Sequence, residues 1–384
     1  MMNVSLRLPV LMVVLLLGMM KVPDLSSQPP ALWKIAPNLR IGSIDDPHTS
    51  LSHVSGVLVA RDGSILIGLQ TERTVRVFDR NGRFLRNIGR AGSGPGEFQE
   101  VSSIGFIADT LVVLDEVRGS VSRFTVEGRH LSTAGVTGPM FEYSSRPAVP
   151  QAAVRGAYLA VPRTNRDDRD SIPLIRMDGK GKLLGTITQL SSPGEVRSFR
   201  AMNISFNAPY PLRSSSLWKV DTEGRSIVVV HRPIADSQES AHFLLERYTV
   251  TGNKLFTRRF RYTPLRVSSV EADTLLAGYI RFWSNQVPRP VAQRLARDSL
   301  GVPEFHPPIA QIAIGTDGSI WLRRSGLVRR DVEWLVHAPD GRLIATVRTP
   351  PNLSIMHVQT DQIWAVEKDE FDIPYVTRYA IIKR

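Results

Sequence analysis

An all-β chain of six repeated four-stranded modules is what this sequence predicts, on three observations. Short β-type runs broken by tight turns recur along its 384 residues. Two turn anchors repeat in step: Asp62-Gly63, Asp109 and Gly156 each precede a strand in successive modules, 47 residues apart, and Gly63 to Gly82 and Asp109 to Gly128 each span 19. Surplus strand at the start of the chain matches a deficit at its end. Antiparallel modules of about 45 residues arrayed in register point to a β-propeller.

Taken in order, the chain begins with an address or an anchor. Leu8–Met20 is an uncharged run of 13 residues between Arg7 and Lys21. That length suits the apolar region of a secretory signal and falls short of the ~20 residues of a spanning helix. Export with cleavage is the expectation and an uncleaved N-terminal anchor the alternative; Ser26 and Ser27 are the small residues ahead of Pro29-Pro30. Either places the protein outside the cytoplasm, in the periplasm, on the cell surface or secreted. Residues 1–31 are thus read as signal or anchor plus tether, and residues 32–384 as the propeller.

The first module is anchored by Asp62-Gly63 and Asn81-Gly82, with Val75-Arg76-Val77-Phe78-Asp79 as its third strand. The second, Gly92–Gly135, opens on the turn cluster Gly92-Ser-Gly-Pro-Gly-Glu-Phe98 and carries β-type runs at Val101–Ala108, Thr110–Asp115, Ser120–Thr125 and Arg129–Gly135. Later modules carry the same turn before a strand at Gly156, Gly224, Asp317-Gly318 and Asp361. Their second strands, such as Ser226–Val230 and Gln362–Val366, are short, apolar and rich in β-formers. The sixth module ends at Arg384 after its third strand. Leu39–Ile44 is therefore expected to supply the missing outer strand and close the ring, because an open ring would leave two unpaired edges.

Two excursions interrupt the period. Pro233–His242 reads as a polar surface loop. Pro264–Pro308 reads as a helical hairpin between blades four and five: Ser268-x-x-Glu271 is a capping-box pattern, and Val270, Leu275, Leu276, Tyr279, Ile280 and Trp283 fall at helical spacing. A second short helix opens at Pro290, and Gly301 ends it. The apolar stripe is expected to pack on the propeller.

Composition excludes several functions. The chain has no cysteine, which removes disulfides, thiolate zinc sites, iron–sulfur clusters and a cysteine nucleophile. The net charge is +12, but only eight of the 48 basic residues are lysine, and the arginines are scattered with no block of five. Nucleic-acid binders concentrate charge on a face or arm, so no specific nucleic-acid partner is expected.

The Gly92, Gly94, Gly96 and Phe98 turn, Asp115 closing a later strand, and Val121 with Phe124 in the next resemble an NHL-type repeat. The first module repeats Val75, Val77 and Phe78 but has Gly68 where the aspartate would fall. The chain thus resembles the NHL-like six-bladed propeller proteins exported by bacteria, closely over residues 54–135 and thinly over 152–384. That resemblance implies a propeller with a binding surface at its channel mouth. It implies no single activity, since related propellers include binding modules, lyases and lactonases.

Catalytic motifs are missing: there is no His-Glu-x-x-His, Gly-x-Ser-x-Gly, Walker-type loop or calcium loop. The Gly92–Gly96 turn contains a proline and precedes a strand, so it reads as a turn and not as a phosphate cradle. Asn165–Asp170 reads as a self-paired solvated loop. In a propeller, residues leading into the innermost strands gather at one channel end, which nominates His53, Glu97, Phe98, His306 and His357 as channel-mouth ligand-binding residues. No metal and no cofactor is called for. The reading is an extracytoplasmic binding module that takes a small molecule, a glycan or a protein at the channel mouth. A propeller lyase or hydrolase using those His and Glu residues is the first alternative, and a membrane-associated structural or assembly protein the second.

Overall fold

The computed structural model describes residues 29–144, 146–163, 169–192, 196–235, 237, 241–326 and 331–383. The expected signal, most of the Asn165–Asp170 cluster and part of the Pro233–His242 loop lie outside the described residues. Contacts divide the chain after Pro30, and the repeated modules all fall in the unit Ala31–Arg384.

A long first strand, β1 (Ala31–Ile41), precedes the repeats. Blade 1 is β2 (Val54–Val59), β3 (Ile65–Leu69), β4 (Thr74–Phe78) and β5 (Phe84–Ile88). A small parallel pair follows, β6 (Arg90–Ala91) with β7 (Glu97–Phe98). Blade 2 is β8 (Ser103–Ile107), β9 (Thr110–Asp115), β10 (Ser120–Phe124) and β11 (His130–Gly135). Blade 3 is β12 (Ala152–Val154), β13 (Ala157–Ala160), β14 (Ser171–Met177) and β15 (Leu183–Ser191). An antiparallel hairpin, β16 (Val196–Ala201) and β17 (Ile204–Pro209), comes next. Blade 4 is β18 (Leu217–Val220), β19 (Ser226–His231), β20 (His242–Thr249) and β21 (Lys254–Arg261). After α1 (Ser269–Trp283), α2 (Arg289–Arg294) and a π-helical turn Leu295–Leu300 comes blade 5: β22 (Ile309–Ile314), β23 (Ile320–Arg324), β24 (Val332–His337) and β25 (Leu343–Thr349). Blade 6 supplies β26 (Ser354–Val358), β27 (Gln362–Lys368) and β28 (Pro374–Ile382). Each blade is an antiparallel meander in chain order, and the fold is a six-bladed β-propeller.

Closure uses the chain ends as expected, with a longer strand than expected. Residues 34–41 of β1 run antiparallel to β28, from Lys34 against Ile382 to Ile41 against Val376. Its first residues, Ala31–Trp33, run parallel to Ala345–Val347 of β25. The strand is thus Ala31–Ile41 and not Leu39–Ile44. It stops where Gly42 adopts φ 132 and a Cβ would meet the Tyr375 ring at 2.9 Å. Pro37 sits at a register shift on this outermost strand, where a missing N–H costs no ladder bond.

Adjacent blades bury apolar cores between them. Leu66, Val75 and Val77 meet Val101, Leu111 and Phe124 between blades 1 and 2. Leu114 and Val121 meet Tyr158 between 2 and 3, and Leu159 and Leu174 meet Ile227 and Val229 between 3 and 4. Val228 and Leu245 face Ile312 and Leu322, Trp334 and Val347 face Ile355 and Ile363, and Trp364 and Val376 face Ile65 and Phe78. Because both faces of a blade are covered, second strands such as Ile65–Leu69 are buried at every residue and read as unbroken apolar runs.

Arginine ties the same boundaries together, commonly through backbone carbonyls. Arg86 donates to Val126 O between blades 1 and 2, and Arg163 pairs with Glu116 between 2 and 3. Arg155 pairs with Glu223 between 3 and 4. Arg232 and Arg247 donate to Ile309, Gly318 and Pro339 carbonyls between 4 and 5. Arg323 reaches Pro351 O between 5 and 6, and Arg378 reaches Arg80 O between 6 and 1. A guanidinium carries five fixed donors and suits this cross-blade role better than an ammonium. These seven arginines are therefore architectural.

The helical insert forms as expected. Ser268 caps α1 reciprocally with Glu271. Its apolar stripe packs not on a blade, as expected, but on β16–β17, a hairpin that the sequence pattern does not announce. Phe206, Leu276, Trp283, Ala292 and Leu300 share one core, with Phe199 edge-on to Trp283 at 5.3 Å. Hairpin and helices thus make a satellite module beside the ring.

Candidate functional site

The six innermost strands β2, β8, β12, β18, β22 and β26 surround a central channel of about 260 Å³. Its wall mixes small and apolar residues, such as Gly56, Ile104, Gly105 and Trp218, with polar ones, such as Ser55, Gln151 and Asp221. Gly105 leaves open space in front of it, since a Cβ there would meet nothing within 4 Å. Beyond the trailing ends of β2 and β8 the channel widens into a mouth of about 590 Å³, with Leu58, Phe106, Thr222 and His357 lining both cavities. Mouth charges are largely paired, Arg61 with Asp109 at 3.0 Å and Arg155 with Glu223 at 3.5 Å.

Two groups inside the channel lack that pairing. The Lys219 ammonium on β18 has no hydrogen bond or ion pair with another described residue, and the side chain is accessible to the lumen while enclosed by the ring. That enclosure pulls its pKa below the usual lysine range. His357 on β26 is 5% exposed, and its Nε2 has no partner among the described residues. Burial, then the Lys219 charge, push its pKa down to about 4, so the ring is neutral at neutral pH. A buried polar nitrogen without a partner costs about 1–3 kcal/mol. Lumen charge and wall imidazole together can hold an anionic group.

Of the five residues the sequence nominated, His357 alone lies in this wall, and the structure does not bring the five together. His53 is exposed just ahead of β2. Glu97 folds back to cap its own turn, accepting Gly94 N–H at 2.8 Å, Ser93 N–H at 3.0 Å and Arg90 Nε–H at 2.8 Å. The Gly94 bond first, then Arg90, hold its carboxyl below the usual range. Gly92 must be glycine for this, since a Cβ would meet Glu97 Oε2 at 2.1 Å. Phe98 is buried between blades 1 and 2, edge-on to Phe124. His306 closes the helical insert, its Nε2 3.3 Å from Glu271 and its N–H on Leu265 O. Lys219 escapes sequence reasoning because Leu-Trp-Lys-Val has the pattern of an ordinary half-exposed strand.

A family model, DUF5128, described as a 6-bladed beta-propeller, matches residues 48–137, which span blades 1 and 2. Several solved structures resemble the chain over most of its length. A member of the duf4221 family from Bacteroides vulgatus is 10% identical with a TM-score of 0.52, over 92% of this chain and 99% of that one. Virginiamycin B lyase from Staphylococcus aureus is 10% identical with a TM-score of 0.41, over 91% and 99%. The calcium-binding protein regucalcin from Agrobacterium tumefaciens is 12% identical with a TM-score of 0.40, over 92% and 97%. No curated protein matches the chain. At these identities the likeness concerns fold alone.

Proposed function

We propose that this chain is an extracytoplasmic ligand-binding module that takes a small anionic ligand into its central channel, with Lys219 as the fixed charge and His357 as the neutral hydrogen-bonding wall. The observation that carries the reading is an ammonium that lacks a partner among the described residues, inside a lumen whose carboxylate, Asp221, is paired with Arg247 at 4.0 Å. Leu8–Met20 supports export, and the Gly92–Phe98 turn supports kinship with exported NHL-like propellers. His53, Glu97, Phe98 and His306 serve the ring and its insert in this reading, while His357 meets the ligand.

Native mass spectrometry of the purified protein tests it. A small anion should co-purify or be captured from a carboxylate mixture, and Lys219→Met should weaken capture about 10- to 100-fold, the worth of one charge-assisted hydrogen bond. Undiminished capture by that variant, or none by the wild type, sinks the reading. N-terminal sequencing of protein from fractionated cells tests export: a mature chain starting near Ser26–Ala31 means a cleaved signal, and an intact Met1 in the soluble cytoplasm defeats it.

A further inference from the structure

Away from the channel wall, blade 4 carries a hydrogen-bond relay that ends on a hydroxyl. Glu246 on β20 is 5% exposed. Burial pushes its pKa up, but bonds from Lys254, Tyr248 and Thr257 outweigh it and hold the carboxyl at about 2. At neutral pH it is a carboxylate that only accepts. Lys254 Nζ at 2.7 Å and Thr257 Oγ1 at 2.9 Å occupy Oε1, and the Tyr248 hydroxyl donates to Oε2. His231 Nε2 lies 3.2 Å from that same Oε2 and must carry the hydrogen. In the neutral ring, Nδ1 is then a bare lone pair, and it faces Ser216 Oγ at 2.9 Å. The Ser216 hydroxyl can only donate to it. Its oxygen in turn accepts Ser191 N–H at 2.8 Å.

We propose that Ser216, His231 and Glu246 form a nucleophile, base and orienting carboxylate competent for acyl transfer from small esters. Ser216 stands directly ahead of β18 and is partly exposed, and His231 ends β19, so both lie at the leading end of the blade 4 inner strand. The three residues are spaced 15 apart, Ser216 ahead of β18, His231 on β19 and Glu246 on β20, a pattern that no local motif captures; such relays are recognised by geometry and roles. In the reaction, Ser216 Oγ bonds to the ester carbonyl carbon as its proton passes to His231 Nδ1. Collapse of the adduct breaks the bond to the alkoxy oxygen, which leaves as the alcohol with that proton. Water then repeats the sequence on the acyl-serine, releasing the acid and restoring Ser216. Glu246 is a positioning residue that fixes the tautomer.

The absence of cysteine makes the test clean, since Ser216→Cys installs the sole thiol. Iodoacetamide at pH 6 should alkylate it at least about tenfold faster than the neighbouring control Ser215→Cys, with a rate plateau extending below the ordinary thiol titration near ~8.5. Adding Glu246→Gln should return the rate–pH profile to that of an ordinary thiol, a change that mere loosening of the strand would not produce. In the unsubstituted protein a fluorophosphonate should mark Ser216 by peptide mapping, and Ser216→Ala should remove the mark. A thiol no faster than the control, or fluorophosphonate found only on other serines, overturns the proposal. Should Glu246→Gln fail to fold, the comparison of the two single thiols still decides.

Discussion

Arg378 donates from Nε to the Asn38 side chain at 2.8 Å, joining residues 340 positions apart. The bond stands where β1 lies along β28, beside the bulge at Pro37. It marks the seam at which the ring closes on its own ends, and the seam is backed by large apolar groups: Trp33 against Trp321, with Trp334 and Trp364 buried nearby.

Removing β1 should therefore open the ring. Deletion of residues 31–41 exposes the β28 edge and uncovers the core around Ile41 and Trp364. The deleted chain is expected to be insoluble or to lose its cooperative unfolding transition. Ile41→Ala, at a site 2% exposed, should cost about 2–4 kcal/mol in a denaturant titration. A soluble, cooperatively folding deletion contradicts closure by β1.

The arginine clips predict a contrast. Arg232 is buried and donates at 2.7 Å to two carbonyls, Ser215 O and Ile309 O. Arg232→Met strands both acceptors and should destabilise by about 2–4 kcal/mol. Arg61→Ala, which removes a pair exposed on both sides, should leave the unfolding midpoint within error. Equal effects for the two would show that the carbonyl clips carry no special weight.

Acid should weaken the fold over a defined window. Burial pushes His337 down to about 4, partly offset by its bond to Gly341 O, and His357 also lies at about 4. Both folded values fall below the ordinary 6.5, so the unfolded chain binds more protons between those limits. The stability they contribute is full above pH 6.5 and is lost as pH falls through 4, on the order of 3 kcal/mol for each ring. Urea midpoints should drop across that window, and His337→Gln should reduce the slope by about half. A flat profile from pH 7 to 4 excludes buried neutral imidazoles.

The legibility of each feature depends on where its signal resides. Ring and blade count are readable because Asp-Gly and Asn-Gly turns are local, and each fixes a hairpin by its own chemistry. The β16–β17 hairpin is not, because its turn is Met202-Asn203, both at positive φ, with no glycine to announce it. That silence hides the partner of the helical insert. The candidate site is less readable still. Lys219 and His357 come from blades 4 and 6, and nothing in the local pattern of either strand reports what faces it across the lumen. Glu97 misleads for the opposite reason: its place leading into an innermost strand suggests a rim residue, whereas its bonds are to its own turn.

The satellite module should open independently of the ring. Its core is built around Trp283, 2% exposed and packed against Phe199, Phe206 and Tyr279. Trp283→Ala should cost that module about 3–5 kcal/mol. Amides of α1 and β16–β17 should then exchange early while those of β3 and β27 stay protected. Uniform loss of protection would mean that module and ring unfold as one.

Gly105 offers a way to separate folding from binding. It lines the channel within β8, and a Cβ there meets nothing within 4 Å. Its backbone is ordinary strand, so a larger side chain carries no φ penalty, and leucine is a better strand residue than glycine. Gly105→Leu should fold with an unchanged or slightly raised melting temperature while filling the lumen in front of Lys219. Captured ligand in native mass spectrometry should then disappear with Lys219 still in place. A stable Gly105→Leu protein that still carries its ligand would move the binding site out of the channel.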